Sequence, residues 1–259
     1  MGVLHRPWAE TRSIAPKGRK RQAAQASAAA PSTPWERAAG SLYPPAMFTG
    51  LVQAIGTVRS VADAPAGRRI RIGFGGWNHL PEPGASISVN GCCLTVVELE
   101  RGVEAIAAFD AIPQTLAVTA IGALREGSAV NLEHAATAST YLGGHVVLGH
   151  VDGLAEVVGL ATEGEWRLRV ALPADLGRLA VDKGSIALDG VSLTIARVED
   201  AASAAGGRTV VDVCLIPETL ARTTLRARVP GDAMHVEMDH LAKLVARQVE
   251  RWHATSPRA

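Results

Sequence analysis

Two related stretches of this sequence carry side chains that could do chemistry. Residues 88–96 are SVNGCCLTV and residues 187–195 are ALDGVSLTI, so Cys93 of the first stretch corresponds to Ser192 of the second. A thiolate is a nucleophile, and a serine hydroxyl becomes one when a base lies beside it. His150, in GGHVVLGHVDG, suits proton transfer near neutral pH. On the residues alone, however, Cys93 is more readily a small buried hydrophobic side chain, and Ser192 has no evident base.

The two stretches belong to an internal duplication. Gly50, Val52, Val58, Ser86, Gly91, Leu94 and Thr95 each match an identical residue 99 positions later, and Ile112, Pro113, Thr115, Leu116 and Glu133 each match one 104 positions later. A period near 100 residues is the size of a small domain rather than of a solenoid repeat. We therefore predict two homologous domains, at residues 47–140 and 141–239.

Each domain has the pattern of an all-β unit. Asn90-Gly91 and Asp189-Gly190 lie between short β-rich runs, and these dipeptides favour hairpins because they accept positive φ. Six or so short strands in each domain predict a small closed barrel, which leaves no exposed edge. Residues 240–259 differ, because Leu241, Leu244, Val245, Val249 and Trp252 recur with helical spacing. This single amphipathic helix must pack on its own barrels or on another subunit.

The first 46 residues form a separate segment. They hold seven basic residues against two acidic ones, are rich in Ala, Pro and Ser, and show no helical or strand period. Such a segment cannot bury a core. It fits a disordered extension or a start assigned too far upstream of Met47 better than it fits an organelle transit peptide.

Composition of the remaining chain limits the class of protein. It holds 19 basic and 23 acidic residues, which argues against nucleic acid as a partner. Three cysteines, two of them adjacent, favour a reducing compartment over a disulfide framework. No apolar run is long enough to cross a bilayer, and no Cys/His cluster has metal-ligand spacing. We expect a cytoplasmic protein with neither membrane nor metal contacts.

Five blocks resemble the alpha-chain type of riboflavin synthase, a lumazine-binding barrel family. They are MFTGLV (47–52), NGCCLTV (90–96), GGHVVLGHVDG (143–153), KGSIALDGVSLTI (183–195) and LIPETLARTTL (215–225). The resemblance implies two tandem six-stranded Greek-key β-barrels, a C-terminal helix that joins subunits, and a homotrimer. It implies dismutation of two molecules of 6,7-dimethyl-8-ribityllumazine to riboflavin and 5-amino-6-ribitylamino-uracil, without a cofactor. Association with lumazine synthase is a further expectation.

The resemblance also implies the site residues. Its catalytic positions are Phe48, Cys93, His150, Ser192, Thr194 and Asp239. Backbone and hydroxyl groups that hold the amide-like edge of the lumazine ring fall, in the first barrel, at Gly50, Leu51, Val52, Cys93, Leu94, Thr95, Asp110, Ala111, Ile112, Pro113, Gln114 and Thr115. In the second barrel they fall at Gly149, His150, Val151, Lys183, Ser192, Leu193, Thr194, Cys214, Leu215, Ile216, Pro217, Glu218 and Thr219. His145 is a weaker candidate in the same block as His150.

Several alternatives stay open at this point. Asp239 is also a natural N-cap for the C-terminal helix. Gln114 stands where the second copy has Glu218, which removes a charge from the first site. Phe48 matches the residue next to the family's usual start, where a retained extension could obstruct that corner of the site. A non-catalytic antenna protein that binds lumazine or flavin is the alternative function, but such a protein would let one site's polar residues drift.

Overall fold

The computed structural model describes residues 46–65, 67–162, 164–200, 202 and 207–255. The predicted extension, except for Ala46, lies outside the described residues, as do five residues of the insertion AASAAGGR and the last four of the chain. The described part contains two barrels in tandem followed by one long helix.

The first barrel contains six antiparallel strands. They are β1 (Ala54–Ala64), β2 (Gly67–Gly73), β3 (Ser86–Val89), β4 (Cys92–Glu100), β5 (Ile106–Ala111) and β6 (Ala129–His134). The strands close in the order β1-β2-β5-β4-β3-β6, with β1 pairing to β6. Alternate residues of each strand point inward, so the apolar ones form one core.

The second barrel repeats this topology. Its strands are β7 (Gly153–Ala161), β8 (Trp166–Ala171), β9 (Ser185–Leu188), β10 (Val191–Glu199), β11 (Val210–Leu215) and β12 (Ala233–Met238). They close in the same relative order around a separate apolar core. The prediction of two tandem six-stranded barrels with a C-terminal helix is confirmed.

Two short helices that the sequence analysis did not predict follow β5 and β11. They are α1 (Pro113–Val118) and α2 (Pro217–Arg222). Proline occupies the first turn of each, where its missing N–H costs no hydrogen bond. Each helix passes into a short 3-10 turn, at Ala120–Ala123 and Thr224–Ala227.

The predicted hairpin dipeptides meet each other between the barrels. Asn90 and Asp189 have φ of 47° and 46°, and Gly91 and Gly190 have φ of 80° and 77°. A Cβ on Gly91 would lie 2.6 Å from the Gly190 amide nitrogen, and a Cβ on Gly190 would lie 2.6 Å from the Gly91 amide nitrogen. Glycine is therefore required at both positions for two reasons, the turn conformation and this backbone contact.

Asn131 and His235 tie each barrel to the other with equivalent bonds. Asn131 Nδ2 donates to the Asp189 carbonyl at 2.9 Å, and its Oδ1 accepts from the Thr224 amide at 2.8 Å. His235 Nδ1 lies 2.6 Å from the Asn90 carbonyl, and its Nε2 lies 2.7 Å from the Ala120 amide. Because an amide N–H can only donate, Nε2 must accept, and the ring is neutral with its proton on Nδ1.

The long helix α3 (His240–Thr255) follows β12 and packs against the second barrel. Asp239 caps it, since its Oδ1 accepts the Leu241 amide at 2.8 Å. Lys243 pairs with Asp152 at 2.9 Å, and Ala246 packs against the barrel core. The predicted apolar stripe is exposed in the single chain, from 48% for Leu244 to 68% for Leu241.

The substitution His235→Asn should keep the inter-barrel bonds and remove a pH dependence. Burial lowers the pKa of His235 below 6.5, the nearby charge of Asp189 raises it, and the charge of Arg228 lowers it. At a pH below 6.5, the His235 ring binds a proton in the unfolded chain but not in the folded protein. The free energy of unfolding therefore falls as the pH falls toward the lowered pKa. We expect this fall, measured by urea denaturation, to be smaller in the variant.

His253→Asn is the matched control, because His253 is exposed near the end of α3. It should leave the pH dependence unchanged. An identical pH slope in His235→Asn and in the unaltered protein would contradict the neutral, buried role of His235.

Candidate active site

The duplicated strands β4 and β10 present the predicted polar residues on the outside of each barrel. Leu94 and Leu193 point into the barrel cores, whereas Thr95 and Thr194 are exposed on the opposite face. Cys92 belongs to the first core. Cys93 and Ser192 are half-buried on the outer face, where another segment of the chain crosses them.

We name the crossing segments lead segment 1 (residues 48–52) and lead segment 2 (residues 147–151). Each precedes its own barrel and lies across the site strand of the other barrel. The Ser192 amide donates to the Gly50 carbonyl at 2.8 Å, and the Cys93 amide donates to the Gly149 carbonyl at 2.9 Å. Lead segment 1 also pairs with lead segment 2, through Phe48 and Val147. Strand β1 accordingly begins only at Ala54.

Glycine is required at the crossing points. Gly50 and Gly149 have φ of 72° and 74°. A Cβ on Gly50 would lie 2.6 Å from Ser192 Cβ, and one on Gly149 would lie 2.6 Å from Cys93 Cβ. The two site strands are thus in van der Waals contact with backbone that belongs to the other barrel.

Two buried glutamates hold the lead segments. Glu133 accepts the amides of Thr49 and Gly50 at 2.7 and 3.0 Å, and the Thr49 hydroxyl at 2.7 Å. Glu237 accepts the amides of residues 148, 149 and 150 at 2.7, 3.0 and 3.1 Å. Burial raises the pKa of both carboxyl groups, and these N–H donors lower it.

The structure provides Ser192 with the basic partner that the sequence analysis lacked. His145 Nδ1 lies 2.7 Å from Ser192 Oγ. His145 is 9% exposed, and its Nε2 is buried with no hydrogen-bond partner among the described residues. Burial lowers the pKa of His145, while the charge of Asp239 raises it. A neutral imidazole beside a hydroxyl, with a carboxylate nearby, can pass a proton to or from a bound molecule.

Cys93 has the properties of a neutral contact more than of a ready nucleophile. Burial raises the pKa of the Cys93 thiol, a hydrogen bond with Ser86 lowers it, and the charge of Glu237 raises it further. Burial also raises the pKa of Cys92 to about 12. The outer face of the first barrel therefore offers a protonated thiol where the second offers the Ser192–His145 pair.

His150 and Phe48 occupy different environments. The His150 side chain is exposed, and its backbone amide is held by Glu237. Phe48 is fully buried between the barrels, against Val147 and Ala187. Asp239 contributes its N-cap bond and its charge on His145. The catalytic roles of these residues remain predictions.

The other predicted contact positions lie along the strand ends. Residues 112–114 and 216–218 are exposed, as are Leu51 and Lys183. Val52 packs against the core of the second barrel and Val151 against that of the first. The core encloses Ala111 and Leu215, so only their backbone groups can reach a ligand. Thr115 and Thr219 are half-buried.

Asp110 and Cys214 occupy equivalent places at the ends of β5 and β11. The Asp110 carboxylate pairs with Arg69 at 2.7 Å, and this hydrogen bond lowers the pKa of Asp110. Burial raises the pKa of Cys214, as does its hydrogen bond with Glu165. The edges of the two outer faces therefore differ in charge as well as in their central residues.

Sequence reasoning did not assign Glu133, Glu237 or Gly144 to the site, and it placed His145 second to His150. The signal for the glutamates was present, because Glu133 and Glu237 match in the duplication. Within the described residues, no group of three or more His, Cys, Asp or Glu side chains could hold a metal ion. The helices described here include none long and apolar enough to cross a membrane.

Comparison with known proteins gives a family match in both halves of the chain. The model of the lumazine binding domain matches residues 49–135 and 148–239. The riboflavin synthase of Mycobacterium tuberculosis is 39% identical over 202 residues, which cover 78% of this chain and 97% of that protein. The riboflavin synthase of Escherichia coli is 36% identical over 211 residues, covering 79% and 92%.

Solved structures share the fold. LumP complexed with 6,7-dimethyl-8-(1'-D-ribityl) lumazine superposes with a TM-score of 0.58 at 24% identity, covering 74% of this chain and 98% of that one. LumP complexed with riboflavin gives 0.59 at 25% identity with the same coverage.

The substitution Gly144→Ala should disturb the Ser192–His145 pair. A Cβ there would lie 2.8 Å from Ser192 Oγ and 2.1 Å from the Thr49 carbonyl oxygen. Overpacking of this kind costs about 1–3 kcal/mol. We expect that loss in the free energy of unfolding, together with a changed NMR shift of the His145 ring.

Gly143→Ala is the control on the adjacent residue. Its Cβ would approach only the Leu51 Cδ1, at 2.9 Å, and that exposed side chain can move aside. The control should change stability by less than about 0.5 kcal/mol. Equal effects of the two alanines would show that the contact of Gly144 with Thr49 and Ser192 is not tight.

Proposed function

Because this chain belongs to the riboflavin synthase family of lumazine-binding proteins, we propose that it transfers a four-carbon unit between two molecules of 6,7-dimethyl-8-ribityllumazine. One lumazine gives up the unit and leaves as 5-amino-6-ribitylamino-uracil, and the other becomes riboflavin. The reaction needs no added cofactor or metal, and we propose that it occurs in the cytoplasm. The matches to riboflavin synthases, over nearly their whole length, support this assignment.

The observation that carries the proposal is a duplicated outer face with two different centres. Two identical substrates are served by two similar barrels, and their opposite roles require the barrels to differ. The first face carries Cys93, a thiol kept protonated by burial. The second carries Ser192 with His145 at 2.7 Å and the charge of Asp239 nearby. This asymmetry supports catalysis over binding alone.

The polar strand residues would bind, and the imidazoles would move protons. Exposed Thr95 and Thr194 present hydroxyl groups that suit the in-plane acceptors and donors of a pteridine ring. His145, through Ser192, would exchange a proton with lumazine on the second barrel. His150, exposed on lead segment 2, would serve the acidic 7-methyl group of one substrate.

We also propose that the complete site forms between subunits of a homotrimer. The outer faces of β4 and β10 are open in a single chain, since Thr95 and Thr194 are exposed. A first barrel of one subunit facing a second barrel of its neighbour would bring a thiol face and a Ser–His face onto one pair of substrates. The exposed stripe of α3 supports the association.

The purified protein should form riboflavin from lumazine alone, followed by flavin absorbance. His145→Ala and His150→Ala should each lower kcat by about two to four decades, the usual contribution of a general acid or base, with a smaller change in lumazine affinity. His253→Asn, on α3, is the control and should turn over normally.

Two outcomes would count against this mechanism. Tight binding of lumazine with no flavin after hours would support a non-catalytic antenna protein instead. Near-normal turnover in His145→Ala or in His150→Ala would remove that histidine from the mechanism.

The double substitution Val245→Asp, Val249→Asp should separate the subunits. Both side chains lie on the exposed stripe, and burying each large apolar side chain is worth about 1.5–3 kcal/mol. We expect folded monomers by light scattering, which bind lumazine and turn it over poorly. Ala254→Asp, exposed on the opposite side of the helix from Val245, is the control and should stay trimeric. A trimeric double variant, or a fully active monomer, would contradict the proposal.

A further inference from the structure

We propose that Glu133 and Glu237 are positioning residues that act crosswise. Glu133 of the first barrel holds the Ser192–His145 pair of the second, and Glu237 of the second barrel holds Cys93 of the first. The catalytic meaning of this inference rests on the proposed function, whereas its geometry does not.

The first chain of contacts begins at Glu133. Both of its carboxylate oxygens are used, because Oε1 accepts the amide and hydroxyl of Thr49 and Oε2 accepts the amide of Gly50. The Thr49 hydroxyl also accepts the Leu51 amide at 3.2 Å. The backbone of lead segment 1 is therefore fixed to the barrel that follows it.

Lead segment 1 passes this constraint to the second barrel. The Gly50 carbonyl accepts the Ser192 amide at 2.8 Å, and the Gly50 Cα faces Ser192 Cβ with no room for a side chain. The Thr49 carbonyl oxygen lies against Gly144, the neighbour of His145, since a Cβ on Gly144 would be only 2.1 Å from it. A shift of residues 49–50 would move both Ser192 and the backbone that carries its base.

The second chain of contacts is the counterpart of the first. Glu237 accepts the amides of Leu148, Gly149 and His150, the last two on the same oxygen. The Gly149 carbonyl then accepts the Cys93 amide at 2.9 Å, and Gly149 packs on Cys93 Cβ. Glu237 thus places Cys93 and also the backbone of His150.

Only a carboxylate suits either position. Every group on these oxygens is a donor, and both glutamates are 3% exposed, so no water can readily replace a lost partner. A glutamine would keep one acceptor and would present an NH₂ to the remaining N–H groups. A buried N–H group that loses its hydrogen bond costs more free energy than an exposed one. Here that N–H group belongs to the segment that crosses to the other barrel.

The test compares Glu133→Gln and Glu237→Gln in full-length protein that carries Cys214→Ser, which removes a half-buried thiol. The first readout is alkylation of Cys93 by iodoacetamide across pH; Cys92 lies in the core. The plateau rate at high pH reports exposure, and the midpoint reports thiol acidity. The second readout is the NMR titration of the His145 ring.

Glu237→Gln should raise the plateau rate at Cys93 about tenfold, the factor by which one lost buried hydrogen bond favours local opening, and should leave the His145 titration unchanged. Glu133→Gln should move the His145 titration toward its ordinary value of 6.5 and leave the Cys93 rate unchanged. Glu126→Gln, an exposed glutamate on the first barrel, should change neither readout.

Equal effects of both glutamines on both readouts would mean general loosening and would overturn the inference, as would no effect of either. If a glutamine variant does not fold, Glu133→Asp and Glu237→Asp keep two acceptors on a shorter side chain and should give the same crosswise pattern at smaller size. If the unaltered protein forms no riboflavin, that result contradicts the proposed function but not this inference, because both readouts are made without substrate.

Discussion

The candidate site depends on the backbone hydrogen bonds that the two barrels exchange. Ser192 bonds to Gly50 and Cys93 bonds to Gly149, and each bond joins the site strand of one barrel to the lead segment of the other. The glycines, the buried glutamates and the start of β1 at Ala54 all follow from the need to bring these backbones within hydrogen-bond distance. Packing within the barrels does not require these features, since each barrel has its own apolar core.

On this shared frame, equivalent positions of the two copies can have different surroundings. Cys93 and Ser192 occupy equivalent places, and only the second has a histidine at 2.7 Å. Asn131 and His235 show the opposite case, in which different residues do the same work, because each supplies one donor and one acceptor across the barrels. Difference in residue type is thus not itself a sign of difference in role.

The sequence predicts the barrels well because their signals are local. Asn-Gly and Asp-Gly mark the hairpins, and helical spacing locates α3. No short pattern predicts the course of the lead segments, because their hydrogen bonds go to residues far along the chain. The Ser192–His145 pair depends on that crossing and spans 47 residues, so no short pattern contains it. The helical spacing defines the apolar stripe of α3, but it does not say what covers that stripe, which is exposed in the single chain.

The reciprocal contacts have a bearing on ancestry. Gly50 of the first half touches Ser192 of the second, and their counterparts, Gly149 and Cys93, touch each other in the same way. This is the rule of an isologous interface, the kind that joins two identical chains in a symmetric dimer. Contacts of this kind need no covalent connection between the barrels, so a single-barrel ancestor could have formed them as a homodimer. Fusion of two such genes would then have freed one half from the requirement to match the other, so that the two halves could acquire different residues on equivalent frames.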